Sequence, residues 1–83
     1  SAYRVSFTAT READVVAEVQ TLGGRTLRRF QTRAQGAAET TILWDGRDAS
    51  GAALPAGTYV LNVTAQDDTG RIARQRLPIG TVR

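Results

Sequence analysis

The sequence predicts an all-β fold, an antiparallel β-sandwich of about seven strands. Three observations carry that expectation. Apolar and polar residues alternate at period two in several short runs. Turn signals rich in Gly, Pro and Asp separate the runs at short intervals. No segment keeps its apolar residues at a helical spacing. With 83 residues the chain has the length of one domain, so residues 1–83 are expected as a single sandwich.

The elements follow in chain order. Tyr3, Val5, Phe7 and Ala9 alternate with Arg4, Ser6 and Thr8, the pattern of a half-buried strand. Thr10 to Asp14 is a polar turn. A second strand puts Val15, Ala17 and Val19 on one face. Gly23-Gly24 then supplies the positive φ of a two-residue hairpin turn. Thr26 to Arg33 reads as a third strand. Its apolar pair, Leu27 and Phe30, lies three apart and therefore on opposite faces of an ideal strand. A β-bulge near Arg28-Arg29 would return both to the core; a short helical turn is the alternative. Ala34 to Ala38 is a small, flexible connection.

A fourth strand, Glu39 to Trp44, sets Ile42 and Trp44 inward and Thr41 and Leu43 outward. A fifth, Thr58 to Ala65, sets Tyr59, Leu61, Val63 and Ala65 inward. Asp67-Asp68-Thr69-Gly70 has Asp first and Gly fourth, a type I turn. The last strand runs from Arg71 to Leu77, its face ambiguous because Ile72 and Leu77 differ in parity. A seventh short strand is allowed near Ala53-Leu54. The expected core is Val5, Phe7, Val15, Ala17, Val19, Leu27, Ile42, Trp44, Tyr59, Leu61 and Val63.

The stretch with most internal logic is Trp44-Asp45-Gly46 and the loop it opens. Trp44, the sole tryptophan, is best buried as a core anchor. A carboxylate at Asp45 can accept backbone N–H groups two or three residues on, as an Asx turn. Gly46 permits a backbone conformation closed to side chains. Leu54-Pro55-Ala56-Gly57 suits a type I turn, and Tyr59 after it can reach a backbone group with its hydroxyl. Trp44, Asp45, Gly46, Asp48, Gly51, Pro55, Gly57 and Tyr59 are therefore expected to serve the fold. The rival reading is a calcium site from Asp45, Asp48 and Ser50. That spacing lacks the one-apart ligands and the distal Glu of an EF-hand loop, so no metal and no cofactor is expected.

Catalytic chemistry is poorly provided for. The chain has no Cys, no His and no Lys. Ser1, Ser6 and Ser50 thus lack a base to activate them, and zinc lacks its thiolate and imidazole ligands. No Gly-rich loop opens a helix to cradle phosphate. The expectation is a protein that is not an enzyme. Net charge is +3, with eight carboxylates interspersed among arginines, far from the dense basic stripe of a nucleic-acid binder. Absent cysteine excludes a disulfide framework without assigning a compartment. No apolar run reaches membrane-spanning length.

Two arginine clusters stand out: Arg28, Arg29 and Arg33 on one strand, and Arg71, Arg74 and Arg76 on another. Were the strands neighbours, they would form a basic face for an acidic partner such as a surface polymer or a protein. The competing account is that these charges keep exposed edge strands from pairing with other chains. Only Phe30 interleaves with the clusters, too little for stacking single-stranded nucleic acid.

One resemblance follows from the motifs. Gly24-Arg25-Thr26-Leu27-Arg28, Trp44-Asp45-Gly46-Arg47-Asp48-x-x-Gly51 and Leu54-Pro55-Ala56-Gly57-Thr58-Tyr59, in that order and spacing, resemble the FlgD Ig-like domain family. The likeness spans roughly residues 3 to 80. The family comprises an Ig-like or fibronectin-III-like domain of the flagellar hook-capping protein and of many secreted bacterial proteins. The resemblance implies a sandwich without catalysis, in an extracellular, cell-surface or periplasmic setting. The hook-capping protein also carries a Tudor-like domain and an N-terminal export segment, neither of which lies in these residues.

The leading expectation is therefore a non-catalytic structural or interaction module excised from a larger secreted or surface protein, acting as spacer, sorting or adhesion domain. It would contact protein partners or neighbouring domains. The alternative is a part of a flagellar hook-capping scaffold. A carbohydrate-binding module is a lesser alternative, weakened because Tyr3, Phe7, Phe30, Trp44 and Tyr59 mostly fall at core positions.

Overall fold

A computed structural model of the chain describes residues 3–8, 11–36 and 39–81. Ala9, Thr10, Ala37 and Ala38, placed by the sequence in the first strand and two connections, lie outside the described residues. Six strands and no helix are present among those described: β1 (Tyr3–Thr8), β2 (Ala13–Gln20), β3 (Thr26–Ala34), β4 (Glu39–Trp44), β5 (Gly57–Asp67) and β6 (Ile72–Thr81). The strand anticipated near Ala53 is reduced to one bridge, Arg47 to Ala53.

The strands form two antiparallel sheets, a four-stranded one in the order β3-β2-β5-β6 and a two-stranded one of β1 and β4. Strand phase decides what lies between them. In β2 the residues Ala13, Val15, Ala17 and Val19 point inward. Their β5 neighbours in register include Val63 opposite Ala17 and Leu61 opposite Val19. Small Ala17 beside larger Val63 lets side chains from the other sheet interdigitate. That other sheet contributes Ile42 and Trp44 from β4, with Tyr3, Val5 and Phe7 of β1 half-buried against them. Trp44 and Tyr3 meet as tilted rings 5.2 Å apart.

β3 reaches the core through an irregularity. Its register with β2 slips between Val19, which faces Arg28, and Gln20, which faces Thr26. Leu27 is the extra residue, so the bulge falls one position earlier than the sequence suggested. Its effect is the anticipated one: Leu27 and Phe30 both pack on the core.

One turn design recurs three times. Thr21 to Arg25, Asp48 to Ala52 and Asp67 to Arg71 each close a three-residue loop. The first residue's N–H donates to the fifth residue's carbonyl, and the fourth residue's N–H donates back to the first residue's carbonyl, all at 2.9–3.0 Å. The fourth residue is glycine at φ 97°, 92° and 85° respectively. This is a type I turn followed by a left-handed glycine bulge. The connection after β2 is therefore a three-residue loop and not the expected two-residue turn, because only Gly24 of the glycine pair has positive φ.

β6 extends past the anticipated end at Leu77, through Pro78, to Thr81. Pro78 is tolerated because β6 is an edge strand with one side free of ladder bonds. Register settles the ambiguous face: Leu77 lies opposite Leu61, on the core side, and Ile72 lies opposite Gln66, on the outer side.

The face assignment in β4 is directly testable. Ile42 is buried and its neighbour Leu43 is 63% exposed. Ile42→Ala should destabilise by about 2–5 kcal/mol, whereas Leu43→Ala should stay within about 0.5 kcal/mol. Denaturant titration of the two variants distinguishes them; equal costs would contradict the register.

Candidate functional site

The Trp44 loop is built from within. The indole is buried, and its Nε1–H donates to the Arg47 carbonyl at 2.9 Å. That bond requires the chain to double back directly after β4. Asp45 and Gly46 make the reversal. Asp45 Oδ1 accepts the Arg47 N–H at 3.0 Å, the Asx turn expected from the sequence, and Gly46 sits at φ 78°. Leu54 N–H then returns to the Gly46 carbonyl at 3.0 Å, closing the base of the excursion.

Asp48 organises the tip. Its Oδ1 accepts from Ser50 N–H at 2.9 Å, Ser50 Oγ at 2.7 Å and Ala52 N–H at 3.0 Å. Asp67 does the same one turn design later, accepting from Thr69 N–H, Thr69 Oγ1 and Arg71 N–H. Both carboxyls are held below their ordinary pKa. The Ser50 hydroxyl leads for Asp48, followed by Ala52 N–H, and the Thr69 hydroxyl leads for Asp67. Oδ1 of Asp45 and Oδ1 of Asp48 are thus both engaged by donors.

The far end of the loop is tied to the strands beyond it. Tyr59 O–H donates to the Pro55 carbonyl at 2.6 Å. Thr81 adds a second donor to that carbonyl at 3.1 Å, and its Oγ1 accepts the Gly57 N–H at 3.2 Å. Pro55 and Gly57 therefore join the loop to both β5 and β6. Thr81, the one polar residue buried among those described, was not singled out from sequence; a lone threonine beside Gly80 carries no signal.

The arginine clusters come apart. β3 and β6 are the opposite edges of the four-stranded sheet, with β2 and β5 between them. The condition for one basic face, neighbouring strands, is not met. Arg28 faces Val19 across the ladder, on the core side. Its Nη1 donates to Asp45 Oδ1 at 3.2 Å and to the Arg47 carbonyl at 3.1 Å, and its guanidinium lies 5.0 Å from the Phe30 ring centroid. Arg28 is a clamp on the Trp44 loop, assisted by the Ala49 N–H bond to the Leu27 carbonyl. Arg33 sits among Asp14 and Asp68, each at 3.0 Å, and Glu12 at 3.6 Å. Asp68 first and Asp14 second raise its pKa above the ordinary arginine value. Arg29 is exposed opposite Glu18. Arg71, Arg74 and Arg76 are exposed on and beside β6. No aromatic side chain is exposed: Trp44 and Tyr59 are buried, and Tyr3, Phe7 and Phe30 half-buried. A sugar-stacking platform is therefore lacking.

The family model for the FlgD Ig-like domain matches residues 1–69. The chain belongs to the FlgD Ig-like domain family. Two solved structures are similar to it. FlgD from P. aeruginosa aligns with a TM-score of 0.76 and 26% identity, over 94% of this chain and 61% of that one. FlgD from Xanthomonas campestris, described in terms of the hook capping essential for flagellar assembly, aligns with a TM-score of 0.77 and 25% identity, over 95% of this chain and 57% of that one. The chain spans less than two thirds of the length of either. No curated protein matches it.

Two expectations change. The flagellar alternative is better supported than the leading reading of a secreted or surface module. The expected extracellular, cell-surface or periplasmic address is overturned by the match to FlgD structures, one of them described in terms of flagellar hook capping.

Stability measurements test the loop. Trp44→Ala should cost about 3–5 kcal/mol, a large share of the roughly 4–12 kcal/mol expected for a domain of this length. Asp45→Ala should cost about 1–2 kcal/mol by orphaning its donors. Arg28→Ala should lower the melting temperature, while Arg74→Ala and Arg76→Ala should shift stability by less than about 0.5 kcal/mol. A Trp44→Ala variant melting like the parent would contradict the anchor role. The same melts with calcium and with a chelator should coincide.

Acid titration provides a separate check. Asp48 and Asp67 have folded pKa values below the unfolded value of 3.8. Their contribution is present above that value and is lost as pH falls through the lower folded values. Melting temperature should fall as pH drops below about 4. Asp48→Asn and Asp67→Asn together should flatten that fall; an unchanged acid limb would contradict it.

Proposed function

We propose that this chain is a non-catalytic Ig-like domain of a longer flagellar hook-capping scaffold, working by docking against other protein subunits. The observation that carries this reading is alignment of nearly the whole chain with two FlgD structures. The internal chemistry supports it. The loop that the sequence makes most distinctive turns its polar groups inward, on Trp44, Arg28 and its own backbone. What remains outward is the sandwich surface, including Arg29, Arg74 and Arg76, which suits contact with protein neighbours.

The test is genetic. Deleting the codons for residues 3–81 from the gene that encodes this chain should abolish hook assembly, scored by electron microscopy and motility. Restoring the wild-type segment should rescue hooks, and restoring it with Trp44→Ala should not. Normal hooks in the deletion strain would refute the proposal.

A further inference from the structure

The two sheets are unequal, and the mismatch leaves part of the larger one bare. Phe7 and Thr8 of β1 share a groove with residues of β5 and β6, and β6 is exposed from Ile72 to Pro78. A groove of about 380 Å³ opens there, walled by Phe7 and Thr8 of β1 and floored by Val63, Ala65, Ala73 and Gln75 of β5 and β6. Next to the groove, the edge of β1 from Arg4 to Thr8 faces away from β4 and pairs with no described strand. Backbone N–H and C=O groups on such an edge are satisfied by water or by another strand.

Both edges of the four-stranded sheet are blunted, and the edge of β1 is not. β6 carries Pro78 together with Arg74 and Arg76, and β3 carries the Leu27 bulge with Arg29 and Arg33. Bulges, prolines and clustered charges are devices that discourage strand addition. β1 has neither bulge nor proline, and its residues 4–8 include one charge, Arg4.

The groove's chemistry selects its occupant. Ala65 and Ala73, opposite one another in register, are small and leave room for apolar side chains from above. Arg11 and Arg71 line the groove and Arg74 its rim. The single carboxylate there, Asp67, already accepts three hydrogen bonds within its own turn. Three cations against one committed anion favour carboxylates on the incoming chain.

We infer that the open edge of β1 and the bare shelf of β5 and β6 form an acceptor groove for one extended, acidic strand of a protein partner. The strand would continue the β1–β4 sheet through backbone bonds, rest alternate apolar side chains on Ala65 and Ala73, and set carboxylates near Arg11 and Arg71. This inference is independent of the hook-capping proposal.

The test uses the 83-residue chain, isotopically labelled, titrated with a capped peptide of alternating valine and glutamate and with its valine–lysine counterpart. The glutamate peptide should shift amide resonances of residues 4–8 and 73–77 and slow hydrogen exchange at alternate β1 amides. The lysine peptide should bind at least about tenfold more weakly, and Arg71→Glu should weaken the glutamate peptide by about tenfold with no change in melting temperature. Equal affinity for both peptides, no saturable shift at millimolar concentration, shifts centred on β3, or an indifferent Arg71→Glu variant would each overturn the inference. So would sedimentation showing a dimer with β1 amides protected in the absence of peptide, which would assign the groove to a second copy of the chain.

Discussion

The bond from Trp44 Nε1 to the Arg47 carbonyl is the constraint on which the central part of the molecule depends. An indole ring in the core stabilises the sandwich by its area, yet its single N–H must find an acceptor there. The acceptor is three residues on, so the chain cannot leave the sheet in an extended path. The Asx bond at Asp45 and the left-handed backbone at Gly46 meet that demand. Arg28 reaches the same carbonyl from β3, and Ala49 bonds to the backbone of Leu27. One buried donor thus couples β4, the loop and the bulged edge strand into a single unit.

Much of this was legible in the residues because strand phase is a local property. Val15, Ala17 and Val19, and Tyr59, Leu61 and Val63, declare their inner face by alternation alone, and the core they form is the one observed. The Asx role of Asp45 could also be read, since it needs only its own neighbours. Arg28 could not be assigned correctly. Its role depends on the bulge at Leu27 and on a loop some twenty positions later, and neither is encoded near it. Grouping Arg28 and Arg33 with the β6 arginines assumed a strand order that period-two patterns do not contain. The turn motif Asp-x-Ser/Thr-Gly, at Asp48 and again at Asp67, was visible in both places; the shared hydrogen-bond pattern that makes them equivalent needed coordinates. Thr81 was out of reach because a hydroxyl bridging Pro55 and Gly57 leaves no trace in composition.

The placement of charge distinguishes maintenance from contact. Arg28 and Arg33 are engaged by acceptors on β2, the loop and the Asp67 turn, and so hold elements together. The β6 arginines stand outward without such acceptors among the described residues. A membership in the FlgD Ig-like family fits this division, in which a rigid, self-satisfied interior presents strand faces and edges to its surroundings.

The pairing of β1 with β4 has a consequence for the order in which the structure comes apart. Thr8 and Glu39 face one another across the ladder although roughly 30 residues separate them, so bringing them together carries a larger loop-closure entropy than any of the hairpins. β2–β3 and β5–β6, each joined by a three-residue loop, close locally. β1 has a single partner strand and only half-buried inward side chains. Peeling it away breaks the β1–β4 ladder alone and leaves every ladder of the four-stranded sheet intact. Opening at β1 would strip the Tyr3 ring from Trp44 while the indole keeps its bond to the Arg47 carbonyl.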